Sequence, residues 1–431
     1  MLETLRSAWK IEDLRKKMIF TLTILVIFRI GSVIPVPFLD PTALKAMISS
    51  SGNLLGYIDI LSGGAFAQST IFALSISPYI TASIVIQLLT IAIPYLENLA
   101  KEGEEGKKKL NKITRYTVVA LALLQAVAYT TLVHRMGAIS ISEGWQGVFV
   151  RLVIVMTFTA GAMLIVFLGE QIDQRGIGNG ISLILFTGIV SRGPATLLKL
   201  WSYIQLALEG AYGYFFAVPV VIALFLCVIA FIIVMTNAER RIPVQYAKKV
   251  VGRKMYGGQS TFIPIKVNMS GVLPVIFAST LLAVPGTIKG FVDPEGATFW
   301  GKMLGAFNYD KIWYGILYFA LIMAFNYFYV AIQYNPIEIS NNLRKNSGAV
   351  PGIRPGKPTS DHIARIVSKT TFMGGIFLGI IATLPILVGA VTKMNISLGG
   401  TSVIILVGVA LDTVKQLESQ MMMRHYKGFL E

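Results

Sequence analysis

Charge is scarce in this chain. Asp, Glu, Lys and Arg make up 14% of its 431 residues, against roughly 25% in an ordinary soluble domain. Hydrophobic residues make up 54%, too much apolar side chain for the available polar surface to keep in water. A set of soluble domains is therefore excluded. Cysteine is nearly absent. Cys227 stands alone, which excludes an intrachain disulfide framework and a cysteine metal cluster. His134, His362 and His425 are far apart, and none falls in an H-E-x-x-H or comparable metal spacing.

Nucleotide motifs are missing as well. Gly352 to Pro358 reads G-x-x-x-G-K-P, one residue short of a phosphate loop and with proline where Ser or Thr is needed. Gly176-Ile-Gly178-Asn179-Gly180 resembles part of a dinucleotide fingerprint, but it joins two apolar segments and reads better as a tight turn. Ion-coupled transporters generally place carboxylates, His or Lys inside the membrane. Here the one clear intramembrane charge is Arg29, expected to face the bundle and bind backbone carbonyls or water. A solute transporter lacks its ion ligands, and a membrane enzyme lacks its catalytic constellation. No cofactor, metal or catalytic residue is expected.

What the chain does have is long apolar runs. A helix crossing ~30 Å of hydrocarbon needs about 20 mostly apolar residues. Ten segments qualify: 18–37, 71–95, 113–133, 148–168, 181–198, 214–236, 271–290, 312–333, 370–391 and 400–417. The N-terminus is basic and then apolar, like a signal peptide. Arg29 interrupts that run and no small-residue cleavage site follows, so it is read as a retained first span.

The formal net charge is +16, and its distribution gives a topology. With charges near span ends counted with the nearest loop, 28 of the 38 Lys and Arg fall on the side holding both termini and the loops after even-numbered spans, 9 fall on the other side, and Arg29 is the remainder. The positive-inside rule then makes both termini cytoplasmic. Two cytoplasmic loops are long, 237–270 and 334–369. In the first, alternation after Pro243 suits a short strand pair. In the second, Gly352, Pro355 and Gly356 fix turns that hold Arg354 at a tip.

Within the spans, Ile76, Ile80 and Ile84 are four apart and share a helix face. Such a stripe suits lipid contact or packing; it also suits an apolar constriction, which blocks ions by dewetting.

Eight ordered stretches carry a family resemblance: Phe28 to Pro37, Ser62 to Ala65, Ser77 to Ser83, Gly169 to Ile172, Gly176 to Gly180, Lys266 to Gly271, Pro351 to Gly356 and Gly399 to Ser402. Through them the chain resembles the SecY family, the pore subunits of the bacterial protein translocon, over essentially its full length. The resemblance implies an all-α polytopic membrane protein. It has ten transmembrane helices in two pseudo-symmetric inverted five-helix halves around a central pore, with a short plug helix.

The implied divisions are a cytoplasmic segment 1–17, a first half 18–200 with plug 57–68, a second half 201–420 with the two long loops, and a cytoplasmic tail 421–431. The implied pore ring is Ile76, Ile80, Leu185, Ile276 and Ile405, with Leu185 departing from the usual isoleucine. Ile60, Leu61, Ser62, Gly63 and Gly64 belong to the implied plug. Its two glycines, each ~1 kcal/mol worse than Ala in a helix, suit an element that must be displaced cheaply. Gln87, Gln125 and Asn268 are the implied polar cluster of a lateral gate. Arg354, Arg253, Lys254, Lys248 and Lys249 are the implied docking residues, although basic cytoplasmic loops also serve topology alone.

The implied partners are SecE and SecG, the SecA motor ATPase, the ribosome, signal sequences and nascent polypeptides, and membrane lipids. The implied function is a channel that translocates unfolded secretory polypeptides across the bacterial plasma (inner) membrane and releases membrane segments laterally into it.

Overall fold

The computed structural model describes residues 2–40, 42, 64–135, 137–139, 144–209, 212–246, 249–251, 254–256, 260–292, 312–392 and 400–427. Its helices are Leu2–Lys10 (α1), Glu12–Gly31 (α2), Ser77–Ala92 (α3), Pro94–Lys101 (α4), Glu104–Arg135 (α5), Gly144–Arg175 (α6), Gly180–Ser191 (α7), Gly193–Leu208 (α8), Gly213–Asn237 (α9), Leu273–Val292 (α10), Ile312–Gln333 (α11), Pro336–Lys345 (α12), Lys357–Thr392 (α13) and Gly400–Lys427 (α14). Each of the ten apolar segments overlaps a helix. Among the described residues, seven spans qualify by length and hydropathy alone, and the bent pair α3–α4 adds an eighth. The N-terminal turns of α2 hold Glu12, Asp13, Arg15, Lys16 and Lys17, which lowers its average although its remainder is apolar.

Several boundaries differ from the apolar runs for identifiable reasons. Residues 71–76 are turns rather than the start of a span: Ser75 has φ +50°, and Pro78 opens α3. Pro94, which has no N–H to continue the ladder, ends α3, and α4 leaves at 101°. The span expected over 181–198 is interrupted at Arg192, where Gly193 and Pro194 begin α8. α13 starts at Lys357, thirteen residues before the expected 370. The extra turns are polar on one side and project beyond the apolar stretch.

Threonine hydroxyls would be costly in apolar spans. At Thr81, Thr90, Thr130 and Thr159 the hydroxyl donates to the carbonyl four residues earlier, at 2.7–3.0 Å.

Helix packing forms two groups. α3 lies on α5, α5 on α6, and α6 on α7 and α2; separately, α10 lies on α11, α11 on α13, and α14 on α13 and α9. The groups meet where α7 packs on α14.

The long loop after α9 forms the expected strand pair. Glu239–Tyr246 (β1) runs antiparallel to Ser260–Lys266 (β4), with Glu239 opposite Lys266 and Gln245 opposite Ser260. Lys249–Val251 (β2) pairs with Lys254–Tyr256 (β3), and Gly348–Ala349 (β5) joins the other edge of β1. Ile242, Val244 and Ile265 turn inward onto Leu343, Val350 and Ile363, so both long loops share one small core.

Candidate functional site

The glycine turn places α7. Asp173 Oδ1 accepts the Gly180 N–H at 2.7 Å, and Asn179 caps the helix by accepting from Ser182 N–H at 3.0 Å. Thr21 Oγ1 accepts the Ile177 N–H at 3.0 Å, fastening the turn to α2. A Cβ on Gly180 would sit 2.0 Å from the Gly169 carbonyl oxygen, so α6 and α7 touch through backbone. The turn reading of residues 176–180 therefore holds.

This placement carries Leu185 into one apolar cluster with Ile76, Ile276 and Ile405, and Ile80 packs against the same cluster. Ile76 sits at the N-cap of α3 and is fully buried; its carbonyl accepts from Ile80 N–H at 3.0 Å. All five residues assigned to the ring are thus brought together, from four helices. Phe28 and Phe72 stack beside them at 5.7 Å.

Next to this cluster a cavity of about 460 Å³ opens where the two helix groups meet. Val409 belongs to both cluster and cavity wall, while Asn179, Ser182, Asp412, Thr413 and Lys415 give the rest a polar lining. The cavity therefore borders the apolar cluster, an apolar plate, through Val409.

Of the residues assigned to the plug, Ile60, Leu61, Ser62 and Gly63 lie outside the described residues. Gly64 is in a turn at φ +93°, a conformation open to glycine, and a Cβ there would meet Arg192 Nε at 3.4 Å. Ala65, two residues before Ala67, is fully buried in the apolar cluster. Among the contacts of Arg29, Nη1 donates to the Ser32 hydroxyl at 3.3 Å.

Gln87 on α3 and Gln125 on α5 are half-buried on helices that pack together. Asn268 is buried just before α10. No hydrogen bond joins the three among the described residues. Arg354 is exposed at a turn whose shape is fixed by Thr359 Oγ1 donating to its carbonyl at 2.8 Å and Ser340 Oγ to Gly356 O at 2.9 Å. Lys249 and Lys254 lie on the β2–β3 hairpin; Lys248 and Arg253 lie outside the described residues. On the neighbouring sheet, the Arg241 guanidinium lies 4.6 Å over the Phe262 ring and donates to Glu239 Oε1 at 2.7 Å.

Sequence reading missed a buried polar chain. Ser270 Oγ donates to Asn326 Oδ1 at 2.5 Å, and Asn326 Nδ2 donates to the Thr371 carbonyl at 2.7 Å. The available signal was Asn326 itself, the only asparagine in the apolar helix α11.

The SecY family profile matches residues 70–414. The protein translocase subunit SecY of Mycobacterium tuberculosis is 43% identical over the whole of both chains. Among solved structures, a SecY whose plug domain stabilises the closed state of the translocation channel and maintains a membrane seal superposes with a TM-score of 0.64 at 19% identity. It covers 94% of this chain and 92% of that one. Sec61 from a canine ribosome–channel complex gives 0.60 at 18%, with the same coverage. With a profile over most of its length and a relative matched end to end, the chain belongs to the SecY family of multi-pass protein translocase subunits.

Proposed function

We propose that the chain forms a protein-conducting channel that passes unfolded secretory polypeptides across the plasma membrane and releases apolar segments sideways into lipid. The observation that carries this reading is the junction of a polar cavity with an apolar plate to which Ile76, Ile80, Leu185, Ile276 and Ile405 all contribute. Aliphatic side chains without hydrogen-bonding groups let an extended chain slide past without holding any one sequence, and they close around it as a compliant seal. In this role the chain is a conduit and not an enzyme. Residues 57–68 would act as the plug. Gln87, Gln125 and Asn268 would line the sideways opening between α3 and α10.

The charge distribution supports cytoplasmic termini and a cytoplasmic position for the sheet and for the Arg354 turn. Exposed Arg354, with Lys248, Lys249, Arg253 and Lys254, would then dock a SecA motor or the ribosome. Basic groups bind RNA phosphates through counterion release and acidic protein surface through long-range attraction. SecE and SecG are the expected small companions.

The test replaces Cys227 and places single cysteines at Ile80 and at Ile276 in separate variants. A secretory chain carrying its own cysteine is then stalled in translocation-competent vesicles. Disulfides at both positions are expected. None at either position, with translocation intact, overturns the channel reading.

A further inference from the structure

The Ser270–Asn326–Thr371 chain lies outside the apolar plate yet bears on it. Ser270, Asn326 and Thr371 are 3%, 2% and 2% exposed, so neither water nor lipid competes for their hydrogen bonds. They come from three elements: the segment entering α10, the middle of α11, and α13. Two glycines make room for the join. A Cβ on Gly375 would meet Asn326 Nδ2 at 3.0 Å and Met323 Sδ at 2.5 Å; one on Gly374 would lie 2.4 Å from the Val267 carbonyl oxygen. The backbone just before α10 is therefore pressed onto α13 while its Ser270 side chain reaches α11. Ile276 follows Ser270 by six residues and sits in the apolar plate.

We propose that Ser270 and Asn326 are positioning residues that clamp α10 to α11 and α13, so that the wall carrying Ile276 moves with its helix group as one body. The inference rests on the channel reading and adds which elements move together when the plate opens. A buried amide has four hydrogen-bonding sites and a hydroxyl three; once engaged here, they leave α10 no cheap way to slide against α11. Opening then occurs between the two groups, at the face where α3 and α10 border the plate, and not within the second group.

The decisive experiment locks the clamp covalently. In a Cys227→Ser background, Ser270→Cys and Asn326→Cys are combined, the protein is placed in vesicles, and export of a secretory preprotein is timed before and after oxidation. The expected result is disulfide formation with export unchanged within about twofold. Export that stops on oxidation and returns on reduction overturns the proposal, because it shows that α10 must slide against α11. Failure of the disulfide to form overturns the arrangement itself. Absence of polypeptide passage through vesicles carrying the parent protein, before any substitution, counts instead against the channel reading.

A second measurement separates positioning from mere packing. Ser270→Ala removes one interhelical hydrogen bond and should raise the resting ion leak of the vesicles roughly 3- to 20-fold, the factor that one such bond carries in a membrane. Ser270→Thr, which keeps the hydroxyl, should restore the seal. A leak equal in Ala, Thr and parent proteins overturns the positioning role.

Discussion

Arg115 holds Glu170 through two parallel hydrogen bonds of 2.7 Å, Nε to Oε1 and Nη2 to Oε2, and so ties α5 to α6. The fork-on-carboxylate geometry is the strongest that an arginine can make. Arg115 is 53% exposed, however, so water and salt discount the pair. Glu170→Gln should cost no more than about 1 kcal/mol, near the top of the range for exposed pairs. Thermal unfolding in detergent at low and high salt checks this: the difference between parent and variant should shrink as salt rises.

The apolar plate should be far less forgiving. Ile76 has no exposed surface and belongs to a cluster drawn from both helix groups. Ile76→Ala should destabilise the protein by about 2–5 kcal/mol, the sum of lost burial and the cavity left behind. It should also raise the resting ion leak. A melting curve and a vesicle conductance measured on the same preparation read both effects.

Two glycines give opposite expectations. Gly180→Ala puts a methyl group on the Gly169 carbonyl and must push α6 from α7, costing at least about 1–3 kcal/mol. Gly193 opens α8 with nothing near its missing Cβ. Gly193→Ala should be neutral or stabilise by about 0.4–1 kcal/mol. Accumulation in the membrane and melting temperature distinguish the two.

Arg354 offers a test of docking free of folding effects. Its side chain is exposed, and the turn is held by the Thr359 and Ser340 hydroxyls bonding to main-chain carbonyls. Arg354→Glu should therefore leave membrane insertion and melting unchanged while slowing SecA-driven export severalfold. Normal export would remove Arg354 from the docking surface.

The spans were legible because about 20 apolar residues have few places to go except a bilayer. Their ends were not, because amphipathic extensions such as Lys357 to Lys369 are helical without being apolar. The breaks at Pro94 and at Gly193-Pro194 were written in the sequence, yet apolar counting smooths over single residues. Residues in the plate could be named through the family resemblance; spacing alone offered lipid contact equally well. The Ser270–Asn326–Thr371 chain joins positions 56 and 45 residues apart. No local period announces such a partnership, so only the folded chain reveals it.

The contact of Gly180 with the Gly169 carbonyl limits how the bore of this protein can be tuned. Where two helices meet at glycine against a main-chain carbonyl, their spacing is set by the peptide unit and holds only while the position stays glycine. Leu185 can be exchanged for a larger or smaller side chain, but the rail on which it rides stays fixed. Changes of calibre on that side are therefore confined to steps the size of a methyl group, and continuous adjustment is left to the opposite wall.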